Sequence, residues 1–439
     1  MRQAGTENVP ACRNTFWKPN MKKNSSINTA FALLLSLAGG LVAAGVSFPV
    51  AAQTITAPDA TKSVSPEVGT PVQEAQKLSQ EKKYTEALAK LDSITKSPLT
   101  PYESYLIDRT RVAIASVAGD DKTVLAMLPR VVDSSEVAPD ERLKLLLSGV
   151  ALYDKAGDYK QALAWLLRYV KEGGADPRVN DELVRFYYLT EDYPHANEKL
   201  KANIDALEKA GKAPTELQLR LLTSIAIKQK DNAALNVALE KSVEYYPKKE
   251  NWTNLLQTLR SRKDFPERLG VDFYRLKQQM GLLEAKEYPY FIDSELHLGY
   301  GVEAKKFLDA GYAAKVIDDS TPDIKNLMAQ ATKDAATETR SIAQTEADVR
   351  KSKDGLGMVN VGYSYITMGQ FDKGLEMMEQ GVKASNAKRL DEAKLHLGEA
   401  YAQAGQKEKA IDVLKTVQGS DGTADLARYW ILNLNNPMH

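Results

Sequence analysis

The sequence predicts an all-α chain, an α-solenoid of about ten stacked helix-turn-helix pairs with a C-terminal capping helix. Three observations carry this. Tyr153/Tyr187, Asp158/Asp192, Tyr159/Tyr193, Ala162/Ala196 and Leu166/Leu200 each recur at an offset of 34 residues, and a fixed period of that size marks a unit that stacks on copies of itself. Apolar residues return at three- and four-residue steps along most of the chain, the spacing of one helix face. No well-bounded run of alternating β-branched residues signals a strand.

Taken in order, the chain opens with a targeting pattern. Lys22 and Lys23 precede an apolar run over 31–46 and then SFPVAAQ, the charged, apolar and small-residue regions of a secretory signal. Met21 reads as the start, with 1–20 an upstream extension, 21–52 the signal peptide and cleavage expected after Ala52. An uncleaved anchor is the alternative, although Gly39, Gly40, Gly45 and Pro49 suit a permanent span poorly. Residues 53–70 are polar and aperiodic, a flexible leader.

Helical repeats are expected over 71–248, degenerate ones over 249–354, and clean ones again over 355–421, with a capping helix at 422–436. A glycine or polar turn residue precedes the second helix of each pair: Lys82, Gly119, Gly157, Glu191, Lys230, Gly299, Gly369 and Gly405. The intervals are 37, 38, 34, 39, 69, 70 and 36 residues. The two long gaps are near twice the period, so each predicts a hidden turn, one near Asp264 and one near Asp334. The stretch 321–352 could instead be a single long helix. The degenerate part is also where unfolding is expected to begin, because a repeat array is held mainly by contacts between neighbours.

Composition narrows the function. The chain of 439 residues is 43% hydrophobic and 26% charged with no formal net charge, an ordinary globular balance with no basic surplus for nucleic acid. Its single cysteine, Cys12, precedes Met21, so the expected mature chain has no disulfide, no thiolate metal site and no lipidation cysteine. A periplasmic address without a stable membrane anchor follows.

The residues carry a resemblance. LHLGEAYAQAGQKEKAIDVLKTV (395–417) and MVNVGYSYITMGQFDKGLEMMEQGV (358–382) follow the pattern L-G-x-x-Y-x-x-x-G, an aromatic, then A-x-x-x-L-x-x-A, and this resembles the tetratricopeptide repeat. It covers about 70–420, with departures such as Lys407 at an aromatic place and Leu235 at a small one. The resemblance implies a right-handed solenoid whose first helices line a concave, protein-binding groove. Carried over to this chain, groove places fall on Arg178, Asp181, Arg185, Tyr188, Arg220, Ser224 and Tyr363, with Val359 and Ile366 beside the last. Arg178, Arg185 and Arg220 would suit carboxylates of an extended peptide, since a guanidinium binds a carboxylate through two parallel hydrogen bonds. Pairing of the same arginines within the repeats is the alternative. The asparagine that chaperone-binding members use to clamp a C-terminal carboxylate is missing, because its places hold Ala151, Arg185 and Ser224.

Catalytic patterns are absent from the sequence. There is no Walker loop, G-x-S-x-G, H-E-x-x-H or dinucleotide fingerprint. His195, His297, His396 and His439 have no second ligand at metal spacing, and Glu182, Glu295 and Glu399 read as solitary acids. The expectation is a scaffold without enzymatic activity, metal or cofactor, whose partner is another envelope protein or a peptide. A fixed subunit of an envelope secretion, transport or surface-polymer machine is the alternative. The accessory solenoid of a murein-active enzyme is a more distant one.

Overall fold

A computed structural model describes residues 63–385 and 389–438. The expected signal peptide, its cleavage point and most of the expected leader lie outside the described residues. Among the described residues there are twenty α-helices and two short 3-10 turns, and no strand. The described residues divide into two compact units, the first ending at Lys199 and the second starting at Leu200.

The first unit holds α1 (Pro66–Gln80), α2 (Tyr84–Asp92), α3 (Pro101–Ala118), α4 (Asp121–Asp133), α5 (Pro139–Ala156), α6 (Tyr159–Lys171), α7 (Val179–Leu189) and the start of α8 (Tyr193–Lys209). Helix α1 begins at Pro66, inside the stretch assigned to the leader, because Val68 and Val72 already bury against the first pair. The 34-residue matches acquire physical roles here. Asp158 caps α6 by accepting the Gln161 amide at 3.1 Å, and Asp192 likewise faces the amide of His195, satisfying donors that a helix start leaves unpaired. Ala162, Ala196, Leu166 and Leu200 are core. Gly149 is where α5 and α6 come together: a Cβ there would sit 2.2 Å from the Trp165 ring.

The second unit continues with α9 (Glu216–Gln229), α10 (Asn232–Tyr245), α11 (Lys249–Arg260), α12 (Gly270–Gln279), α13 (Tyr288–His297), α14 (Gly301–Ala313), α15 (Ile324–Ser352), α16 (Gly355–Thr367), α17 (Phe371–Ala384), α18 (Leu390–Gln403), α19 (Lys407–Leu414) and α20 (Thr423–Asn435). All eight turn residues read from the sequence have positive φ, from 56° at Lys230 to 86° at Gly299, the left-handed conformation that stops one helix and redirects the chain into the next. The turn expected near Asp264 exists as a longer connection containing a 3-10 turn at Glu267–Leu269.

The turn expected near Asp334 does not exist. Helix α15 runs unbroken through 29 residues. Its sequence has no glycine or proline, and i, i+4 pairs such as Arg350 with Glu346 at 2.9 Å support it throughout. At Asp334 itself the backbone of α15 meets Gly301 of α14: a Cβ on Gly301 would lie 2.5 Å from the Ala335 nitrogen. The described residues therefore hold nine helix pairs, one long single helix and α20.

Nor is 249–313 poorly packed. Trp252, Leu255, Phe291, Ile292 and Leu308 belong to the unit's main apolar core, which also takes in Leu395, Leu426, Tyr429 and Trp430. Helix α20 covers α18 and α19 as a cap should, and it also touches α10 and α12. Arg428 reaches Glu240 at 3.1 Å and Arg262 reaches Asp425 at 2.6 Å, so the end of the chain is fastened to the unit's earlier helices.

Candidate functional site

In the first unit, Asp181, Arg185 and Tyr188 follow one another at four- and three-residue steps, which puts them on one face of α7, and Arg178 is the residue just before that helix. Arg178 and Asp181 are exposed, Arg185 and Tyr188 half-buried. Arg185 donates to Asp154 of α5 at 2.5 Å and to Glu182 at 2.9 Å, with its guanidinium 4.8 Å from the centre of the Phe186 ring. Arg178 pairs with Asp176 at 2.5 Å. Tyr188 stands edge-on to Tyr193, ring centres 5.6 Å apart. This surface is a mixed one: Arg178 is engaged by Asp176 of the connection before α7, and Arg185 by Glu182 of its own helix and Asp154 of α5.

In the second unit, Arg220 is exposed and donates to Glu216 at 2.8 Å, and Glu216 also receives Lys248 at 2.8 Å. Ser224 is half-buried on the same helix. Tyr363 is a correction. It is 0% exposed, as is Val359, with Ile366 at 1%, so none of the three lines an open groove. Helix α14 lies against α16, and Lys306 of α14 donates to the Thr367 carbonyl.

What covers Tyr363 is a buried cluster of charge. Arg275 of α12 is at its centre. Glu303 of α14 accepts from its Nη2 at 2.6 Å and from its Nε at 3.2 Å. Asp272 accepts from Nη1 at 3.2 Å. Glu295 of α13 approaches its Nε to 3.4 Å, and Glu399 of α18 its Nη1 to 3.9 Å. The Tyr363 and Tyr300 rings lie against the guanidinium, 4.2 and 4.9 Å from ring centre to carbon, a cation–π arrangement strengthened by the lack of competing water. His396 Nε2 is 3.0 Å from Asp272, and Trp430 of α20 donates its indole N–H to Glu399 at 2.9 Å. The Tyr363 hydroxyl is 3.3 Å from Glu303 and receives Gln403.

Four carboxyls thus share one guanidinium and one imidazole in a sealed space. Burial pushes Glu295 and Glu399 well above the ordinary glutamate value, since a charge there loses its water and gains like-charged neighbours. Burial also opposes charge on Asp272, but His396 and Arg275 outweigh it and hold Asp272 below the ordinary aspartate value. In the sequence these residues were scattered acids, tyrosines, a histidine, an arginine and a tryptophan. The spacing Asp272 to Arg275, one helical turn, was the sole local sign. Among the described residues no group of three or more His, Cys, Asp or Glu is arranged to hold a metal ion, and no helix is long and apolar enough to cross a membrane.

The class these features define is an α-solenoid of helix-turn-helix repeats with no open catalytic constellation at either place described above. Residues 362–425 match the tetratricopeptide repeat family, so the repeat read from the sequence is present there. No curated protein matches the chain. Among solved structures, the chain resembles yeast Tom70, with 13% identity and a TM-score of 0.22, over 83% of this chain and 95% of that one. It also resembles the APC/C hetero-tetramer Cut9-Hcn1, with 11% identity and a TM-score of 0.21, over 74% of this chain and 66% of that one.

Proposed function

We propose that this protein is a protein-binding scaffold of the bacterial periplasm, without catalytic activity, which takes a partner protein or an extended peptide on the α7 face. The observation that carries the reading is that Asp181, Arg185 and Tyr188 share one face of α7, at least partly reached by solvent, with Arg178 exposed at its start, while the densest acid–base chemistry is sealed from solvent. Arg185 is held by Asp154 and Glu182, so a partner meets a side chain whose rotamer freedom is already spent, which lowers the entropy lost on binding. A partner carboxylate meets the guanidinium N–H groups that Asp154 and Glu182 leave unused, and the Tyr188 ring supplies apolar contact beside it.

The test is recovery of partners from envelope extract by the mature chain and by its Arg185→Ala and Tyr188→Ala variants. Loss of a specific partner in either variant is expected. Equal recovery by both rejects the α7 face. The address is checked separately, by osmotic-shock fractionation and N-terminal sequencing: a released protein beginning at Gln53 is the expected outcome, and retention in the cytosol overturns it.

A further inference from the structure

We propose that the Arg275 cluster is a proton-dependent clasp: it holds α18 and α20 on α12, α13 and α14 in acidic and neutral surroundings and loosens as they become alkaline. The geometry is the starting point. The cluster draws Asp272 and Arg275 from α12, Glu295 from α13, Tyr300 and Glu303 from the start of α14, Tyr363 from α16, His396 and Glu399 from α18 and Trp430 from α20. From α15, Glu338 adds a further acid: it accepts the Val302 amide at 2.8 Å and adds repulsion from the Glu303 side. From α17, Glu379 accepts the Tyr401 hydroxyl at the far end of α18.

With every carboxyl ionised, the negative charges in this sealed space would outnumber the cations. Glu295 and Glu399 are the two least well compensated. Both are 0% exposed, and each has one oxygen with no hydrogen-bond partner. A charged buried carboxylate so poorly paired is costly, and a protonated one far less so. Their upward displacement, caused first by burial, agrees with this. The sign follows from linkage. A carboxyl whose pKa is raised on folding binds more protons folded than unfolded, so its contribution is fully present below the ordinary glutamate value and is lost as pH rises through the raised one. The joint that loosens is the one these two residues span, α13 with α12 on one side and α18 with α20 on the other.

The experiment is chemical unfolding of the full mature chain from about pH 5 to about pH 8, followed by Trp430 and its neighbours, with Glu295→Gln, Glu399→Gln and the double variant. The unfolding constant of wild type is expected to rise with pH by up to about tenfold per pH unit for each proton lost. Glutamine keeps the shape and stays neutral, so the double variant is expected to flatten that rise and to exceed wild type in stability at the alkaline end. An unchanged slope in the double variant overturns the proposal. Infrared spectra of wild type test it without relying on a variant that folds: a neutral-carboxyl absorption at neutral pH is expected, and its absence overturns the proposal too.

Discussion

The indole N–H of Trp430 donates to Glu399 at 2.9 Å across 31 residues of chain, with both side chains sealed from water. This bond joins the last helix to the buried cluster. Trp430→Phe removes the donor while keeping most of the ring. The expected loss is about 1–3 kcal/mol, the penalty for stripping a buried polar group of its partner. Urea unfolding of the two proteins side by side measures it. A neutral result would mean that the indole bond contributes nothing beyond packing.

Arg275 is the cation that four carboxyls share, so its removal is expected to be severe. Arg275→Met leaves Asp272 and Glu303 without their guanidinium, and breaking a buried pair in this way typically costs about 3–5 kcal/mol. The same variant should also show a steeper fall in stability with rising pH than wild type, since the remaining acids lose their compensating charge. Thermal melts across pH check both outcomes.

Glu103 responds to pH in the opposite direction. It is 1% exposed and accepts from Lys96 at 2.7 Å, from Ser65 and from the Thr100 amide at 3.0 Å. Lys96, then the Thr100 amide and Ser65, hold its carboxyl far below the ordinary glutamate value. Its contribution is present above that ordinary value and is lost as pH falls through the depressed one. Glu103→Gln is expected to cost about 1.5–3 kcal/mol at neutral pH. The difference between variant and wild type should shrink in strong acid, where both are neutral.

Two glycines face each other where α16 and α17 cross. A Cβ on Gly374 would lie 2.6 Å from the Gly362 carbonyl oxygen, and one on Gly362 would lie 2.8 Å from that of Gly374. Backbone cannot give way as a side chain can, so Gly374→Ala is expected to cost about 1–3 kcal/mol through overpacking. Gly369→Ala, in the turn between the same helices at φ 81° with open space around it, should cost about 1–2 kcal/mol through strain alone. The two costs separate by temperature-dependent hydrogen exchange: the first loosens both helices, the second frays only the turn.

Much of the architecture was legible because it rests on local chemistry. Asp158 and Asp192 recur because a helix start needs an acceptor, Ala162 and Ala196 because two axes approach there, and the eight turn residues because only certain residues tolerate a left-handed step. The same logic failed at Asp334. A repeat period counts residues, and it cannot say whether a stretch lacking glycine and proline will turn or run on. Helix α15 ran on, with Gly301 packed against it. For the α7 face, the sequence named which residues share a side of the helix, but not that Asp154 and Glu182 already occupy Arg185.

By itself, then, the sequence determined the helical class, the eight turn residues read directly from it and the presence of repeats in the stretch from about 355 to 421, all consequences of spacing within a few dozen residues. Only the tertiary structure decided that Tyr363 is buried, that α20 touches α10 and α12, and that Asp272, Arg275, Glu295, Glu303, His396 and Glu399 form one cluster. These residues span more than a hundred positions, and none has a fixed offset from the next. Charges scattered along a helical sequence look like solvated surface. What put these in the core was the return of the chain's end onto its middle, which removed their water and left them to pair with one another and with Tyr300, Tyr363 and Trp430.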